Sequence, residues 1–172
     1  MMSPSDVTVS LLKTFDEFTG FECENQEYSD FVKSPDRAQK YRLQNLGVTH
    51  VFRAGETPIG FVTMAMGSLR KQDSTADERT KKSSGAVPCV LLEYVARDVR
   101  YKGKGVGKIM IEWAINLAHE LSKTVGCRFV VLEIPQQMIT LFQSYGFELM
   151  PPDRRDRHYL MFFDLGMMSS LG

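Results

Sequence analysis

The chain has 172 residues, 43% of them hydrophobic and 24% charged, with 21 Lys and Arg balanced by 21 Asp and Glu. That length supports one compact domain with a substantial core, and the neutral balance steers the protein neither toward nucleic acid nor toward an anionic membrane surface. Cys23, Cys89 and Cys127 have no C-x-x-C spacing, which argues against a disulfide framework or a structural zinc site. No apolar run approaches the ~20 residues needed to cross a bilayer. The first six residues have no leader pattern, so the expected location is the cytoplasm.

In chain order, Val7 to Leu12 alternates as a first strand. Phe21-Glu22-Cys23-Glu24-Asn25 leads into a helix running through Val32, with Asn25 or Glu24 placed to cap it. Pro35 suits the first turn of a second helix, which runs to about Asn45 and stops near Gly47. Val48 to Arg53 and Ile59 to Ser68 read as paired strands joined by a turn over Gly55 to Pro58. Met64 and Met66 share a face with Val62 and are expected to pack on a core. Residues 69–86 are polar and mixed in charge, which predicts a mobile loop inserted in a hairpin.

Val87 to Arg97 is the expected central strand. After it, Ile109, Trp113, Leu117 and Leu121 fall at helical spacing, flanked by Met110, Ala114 and Ala118, on a segment from about Val106 to Gly126. Arg128 to Ile134 reads as a buried strand broken by Pro135. A short helix over Gln136 to Ser144, a turn at Gly146 and a last strand from His158 to Leu165 complete the chain. Strands and helices mix without strict alternation, which gives a mixed sheet with helices on its faces.

The run from Arg100 to Gly107 holds the clearest chemical signal. A strand, a glycine-rich turn and a helix start follow one another there, with Lys102, Lys104 and Lys108 around the turn. Glycines let the backbone approach an oxyanion, and the first N–H groups of a helix have no intrahelical acceptor. The spacing fits neither a P-loop, for which no Gly-Lys-Ser/Thr ending exists, nor G-x-G-x-x-G. What remains is R-x-x-G-x-G, with Arg100, Gly103 and Gly105 at its defining places, and a phosphate-bearing ligand is the direct reading.

Leu92-Glu93-Tyr94-Val95-Ala96-Arg97-Asp98 followed by this turn resembles the acetyl-CoA-binding motif of the GCN5-related N-acetyltransferases (the GNAT family). One amphipathic helix later, Phe129-Val130-Val131-Leu132-Glu133 and Leu141-Phe142-Gln143-Ser144-Tyr145-Gly146-Phe147-Glu148 are similar to that family's second motif. The resemblance covers Val48 to Leu165. It implies an α/β (mixed α+β) fold: a single domain over residues 1–172, with a mixed sheet of six to seven strands, about four flanking helices and a splay between the fourth and fifth strands. It further implies acetyl-CoA as donor and no metal. Backbone groups around Val95, Ala96 and Arg97 would pair with the pantetheine arm. The turn and helix start, from Arg100 through Tyr101, Lys102, Gly103, Lys104, Gly105, Val106 and Gly107 to Lys108, would hold the pyrophosphate, and Phe142 would flank the donor. More weakly, Phe21 to Asn25, Phe31, Thr49 to Phe52 and Gly60 to Thr63 look like the branch that contains aminoacyl-tRNA-acetylating toxins.

An acetyl transfer to an amine needs a group that takes the amine's proton, and the sulfur leaving group can receive one. Glu93, which alternates with Leu91, Val95 and Arg97 on one strand face, is the first candidate base, acting through water; Glu133 is the second. The family's usual tyrosine acid falls at Phe142, whose ring has no proton to give. His50, His119 and His158 form no cluster and read as structural, with His119 at the surface. The buried-looking Cys89 and Cys127 read as inert thiols, and Arg154 to Arg157 as a basic turn. The reading that follows is an acetyl-CoA-dependent N-acetyltransferase acting on a primary amine, either a protein lysine or N-terminus or a small molecule. Two alternatives stand beside it: an aminoacyl-tRNA acetyltransferase of toxin type, with nucleic acid then the partner, and an acyl-CoA-binding module without turnover. A homodimer is also compatible with the apolar residues from Phe162 to Met168.

Overall fold

The computed structural model describes residues 1–69, 86–150 and 158–168. The expected polar loop and the Arg154–Arg157 turn therefore lie outside the described residues, apart from the loop's two end positions. Seven strands form a sheet in the order β1-β2-β3-β4-β5-β7-β6: β1 Thr8–Leu11, β2 Val48–Ala54, β3 Thr57–Leu69, β4 Val87–Arg97, β5 Phe129–Pro135, β6 Glu148–Leu149 and β7 His158–Asp164. Four α-helices occur among the described residues: α1 Gln26–Lys33, α2 Lys40–Leu43, α3 Val106–Ser122 and α4 Ile139–Ser144. Contacts group the chain into two compact units, one of Met1–Ala65 with Glu93–Trp113 and one of Met66–Leu92 with Ala114–Gly172.

In the first unit β1 pairs antiparallel with β2, and β2 with β3 across the turn at Gly55, whose φ of +57° suits glycine. The core gathers Phe18, Phe21, Phe31, Val32, Val51, Phe61 and Ala96. Phe18 meets Phe21 and Phe61 edge to face, the geometry that aromatic quadrupoles favour. Helix α1 starts at Asn25, whose side chain accepts the Glu27 N–H, so of the two cap candidates Asn25 is the one used. The second helix departs from expectation. Pro35–Gln39 forms a π-helical turn and only Lys40–Leu43 is α-helical. It ends at Asn45, which is left-handed at φ +55°, with the Leu46 N–H donating to the Tyr41 carbonyl. That is a helix stop of the Schellman type, supplied by asparagine two residues before the expected glycine.

In the second unit β5 runs parallel to the first part of β4, with Cys89↔Phe129 through Leu92↔Leu132 in register, and antiparallel to β7. The β4–β5 pairing ends there, although β4 continues to Arg97 and β5 to Pro135, which is the expected splay. Pro135 does not break β5 but closes it, opposite His158. With the β4 pairing already over at Leu132, its missing N–H costs no ladder bond. Leu69, Val87, Cys89, Phe129, Val131, Met150 and Phe162 form the core. The two-residue β6 against β7 was not anticipated.

Two packing expectations are corrected. Along α3 the buried positions are Val106, Met110, Ile111, Ala114, Ile115 and Ala118. The Ile109–Trp113–Leu117–Leu121 row lies at the edge of the buried stripe, and Leu121 is exposed. Met64 is buried but Met66 is 57% exposed, because past Met64 only the Gly67 and Leu69 face of β3 is covered.

Candidate functional site

Asp98, directly after β4, organises the turn. Its side chain is fully enclosed and accepts from the Arg100 N–H at 2.9 Å, Arg100 Nε at 2.8 Å, Arg100 Nη2 at 2.7 Å and the Glu22 N–H at 3.4 Å. Burial works to raise the Asp98 carboxyl, but the Arg100 guanidinium and these N–H donors outweigh it and hold it below the usual carboxylate range. The same pair raises Arg100 above its ordinary value. Asp98 also caps the short 3-10 turn Val99–Tyr101, so one carboxylate fixes both the backbone and the guanidinium that open the motif. Sequence reading missed Asp98. Its signal was an acid two residues before the motif arginine, a spacing that allows such a cap.

Beyond the turn, Gly103 and Gly105 adopt φ of +74° and +85°, which non-glycine residues rarely take. A Cβ on Gly103 or Gly107 would meet nothing within 4 Å, so the backbone there is open. The Ile109 N–H takes the Gly105 carbonyl at 3.2 Å at the start of α3. The preceding N–H groups of Val106, Gly107 and Lys108 come before any intrahelical acceptor. An open glycine backbone leading into a 17-residue helix fits a pyrophosphate, which the helix dipole also favours. Met1 and Met2 lie beside this turn: the Met2 N–H donates to the Lys104 carbonyl at 2.9 Å, and Met1 Cγ is 3.2 Å from where a Gly105 Cβ would stand.

The cations around the turn have partners of their own. Lys102 Nζ lies 2.6 Å and Arg97 Nη2 3.8 Å from Glu24 Oε1, and the bond to Lys102 lowers the Glu24 carboxyl. Lys104 sits over the Tyr101 ring at 4.7 Å, and Lys108 is 3.6 Å from Glu112. For an anion at this turn the backbone donors would therefore be the more direct ligands, with the lysines supplying field. Val95 is half-buried on the strand and Ala96 is buried.

Glu93 is half-buried on β4. Its Oε1 accepts from the Tyr41 hydroxyl at 3.0 Å, while its Oε2 is buried without a hydrogen-bond partner. Burial, then the bond to Glu93, pushes the Tyr41 phenol up to about 12, so it stays protonated as a donor at neutral pH. No sequence pattern joins Tyr41 to Glu93, 52 residues away. The second candidate, Glu133, is exposed on β5 opposite Leu160. Phe142 is 5% exposed and packs edge-on against Tyr145 and Phe147 within its own unit.

The described histidine side chains and the two buried cysteines add no chemistry. His50 packs at 4.6 Å on Trp113, and burial lowers it to about 4, leaving it neutral. His119 is only partly at the surface, and its Nδ1 is buried without a partner. The reason is that its position on α3 adjoins the buried Ala118. Burial pushes the Cys89 thiol up to about 12 and raises Cys127, so both are inert. Among the described residues no cluster of metal-ligating side chains occurs, and no helix is long and apolar enough to cross a membrane.

The sequence model of the Acetyltransferase (GNAT) family matches residues 12–147, and the chain belongs to that family. Among curated relatives, it is 24% identical over 106 residues to the "Probable toxin TacT" of Sinorhizobium fredii (strain NBRC 101917 / NGR234), spanning 56% of this chain and 59% of that one. It is 23% identical over 139 residues to a "tRNA-acetylating toxin" of Mycobacterium tuberculosis (strain ATCC 25618 / H37Rv), spanning 80% of this chain and 82% of that one. Among solved structures, AtaT complexed with acetyl-methionyl-tRNAfMet superposes with a TM-score of 0.83 at 17% identity, covering 96% of this chain and 99% of that one. At that identity the likeness shows a shared fold.

Proposed function

We propose that this protein transfers an acetyl group from acetyl-CoA to the α-amine of an aminoacyl group carried on tRNA. The observation that carries the donor half is the turn from Asp98 to Gly107, whose anchored arginine, open glycines and leading helix N–H groups suit a pyrophosphate. The acceptor half draws on relatives named for tRNA acetylation, which favours charged tRNA over the protein or small-molecule amine that the motifs alone put first. Local charge agrees. Lys33, Arg37, Lys40 and Arg42 surround Asp36 on the α1–α2 segment, next in sequence to Tyr41, and suit an anionic acceptor although the whole chain is neutral. The reading places the protein in the cytoplasm with charged tRNA.

Arg100 to Lys108 would hold the pyrophosphate and β4 around Val95 to Arg97 the pantetheine arm. The thioester is already activated, so the protein's task is to place an amine against its carbonyl. The acceptor nitrogen attacks the carbonyl carbon, a C–N bond forms, and the C–S bond breaks with the electron pair going to sulfur. The nitrogen's proton passes to Glu93 through water, and the departing thiolate takes a proton from solvent.

The test is thiol release from acetyl-CoA in the presence of aminoacylated tRNA, deacylated tRNA, a lysine peptide and a panel of small amines. Release with aminoacylated tRNA alone, together with N-acetylaminoacyl-tRNA as product, is expected. Release with the peptide or a small amine but not with charged tRNA overturns the acceptor. Tight donor binding with no acceptor-dependent release overturns the enzyme.

A further inference from the structure

We infer that Tyr41 is a positioning residue for acetyl transfer: it locks one oxygen of Glu93 so that the other, Oε2, is held ready for the acceptor's proton. This rests on Glu93 as the base in the reading above. Three observations converge on it. The Tyr41 hydroxyl donates to Oε1 at 3.0 Å, leaving Oε2 as a buried acceptor with no protein partner, and an unpaired buried carboxylate oxygen is costly unless a ligand or water uses it. The Tyr41 ring occupies space that only a glycine leaves, since a Cβ on Gly47 would stand 2.6 Å from its Cε1. Phe31 meets the same ring edge to face at 6.1 Å and stacks on Tyr94 at 3.9 Å, so the phenol is held on a rigid aromatic wall rather than on a mobile tip.

The charge environment is compatible. Besides Tyr41, the titratable and charged groups acting around this wall are Tyr94 on β4, Glu27 on α1 and Arg37 in the π-helical turn. Burial, ahead of Glu27 and Glu93, raises Tyr94, so neither phenol competes to lose a proton near neutrality. The hydrogen bond from Tyr41 fixes the direction in which Oε2 points, and a base acts only when it is aimed at the proton it takes.

The test compares wild type with Tyr41→Phe and, as a second route, Gly47→Ala, which displaces the ring while keeping its hydroxyl. Two readouts are taken at pH 7: kcat for thiol release, and KM for acetyl-CoA, both with aminoacylated tRNA or, should wild type not use it, with whichever amine wild type does use. Both variants are expected to lower kcat about tenfold with KM for acetyl-CoA changed by less than about twofold, as loss of one charge-assisted bond to the base predicts. An unchanged kcat in Tyr41→Phe overturns the proposal whatever the acceptor proves to be, as does a fall in melting temperature with kcat unmoved. A loss of a thousandfold or more in kcat in Tyr41→Phe would make Tyr41 the proton donor itself, and also overturns it. Failure of wild type to use charged tRNA counts against the acceptor alone, because the two variants are then compared on the amine that wild type uses.

Discussion

Replacing Asp98 with Asn tests whether the donor site is anchored by one carboxylate. The side chain is enclosed and accepts three bonds from Arg100 and one, longer, from Glu22. Asn keeps one acceptor oxygen for the Arg100 N–H but turns an amide donor toward a guanidinium that only donates. A hydrogen bond to a charged group contributes about 1.5–3 kcal/mol. Arg100 is 56% exposed and regains water when released, which places the loss near the lower end, about 2 kcal/mol. For a chain of this size that is a fall in melting temperature of about 6 °C. The loosened turn should also weaken coenzyme A binding roughly tenfold, equivalent to about 1.4 kcal/mol, with kcat at saturating donor changed by less than about twofold. Circular dichroism melts and calorimetric titration with coenzyme A measure both. Because the Asp98 carboxyl is held below its ordinary 3.8, its stabilisation is fully present above that value and is lost as pH falls through the lowered one. The gap between wild type and variant should therefore be constant from pH 8 to 5 and narrow below pH 4. A melting temperature within about 1 °C of wild type, with unchanged coenzyme binding, would refute the anchoring role.

Gly105→Ala forces an alanine to φ +85°, at a cost of about 1–2 kcal/mol; the steric term is small because the nearest atom belongs to the Met1 side chain. Coenzyme affinity should fall at least about fivefold, whereas Gly55→Ala, at φ +57° in the β2–β3 turn, should lose similar stability and no affinity. Equal loss of affinity in both variants defeats the assignment of the turn. His50, lowered to about 4 by burial, refuses a proton that the unfolded chain accepts below its ordinary 6.5, so stability should fall between pH 6.5 and 4 by up to about 3 kcal/mol. His50→Gln should flatten that slope in melts from pH 7.5 to 4.5, and parallel slopes would disprove the buried neutral ring.

Where periodicity and turn chemistry act locally, the sequence was legible. β4 spans Val87–Arg97 as its unbroken apolar run predicts, and α1 starts from the Asn25 cap. The conformation of the Arg100–Gly107 turn was readable because Gly103 and Gly105 take positive φ, a backbone freedom that glycines announce. The second helix was not, since a left-handed Asn45 ends it and a π-helical turn opens it, features set by packing rather than propensity. Along α3 the apolar positions are nearly continuous around half the circumference, so the choice between the Ile109 row and the Met110 row depended on what covers them. The pairing of Tyr41 with Glu93 is likewise tertiary: it needs the stop at Asn45, the bare backbone of Gly47 and 52 residues of intervening fold.

The proton chemistry of the proposed reaction bears on the acceptor. Phe142, at the expected tyrosine place, is buried against Phe147 and Tyr145 and has no proton to give. The proposed base, Glu93, is a carboxylate braced by the Tyr41 phenol, whose ring stands where a Cβ on Gly47 would clash. A lysine amine, with an ordinary pKa near 10.4, must give up about 4–5 kcal/mol to present a free base at pH 7, whereas an α-amine near 7.7–8.0 gives up only about 1. One hydrogen-bonded carboxylate is commensurate with the second demand and weak for the first. A thioester whose sulfur leaves unaided similarly needs a nucleophile that is already close to neutral. With Glu93 as the proposed base, the reading thus favours an α-amine acceptor on grounds other than the toxin relatives, and it ties the choice of substrate to Glu93 and Tyr41 rather than to the turn proposed to hold the donor.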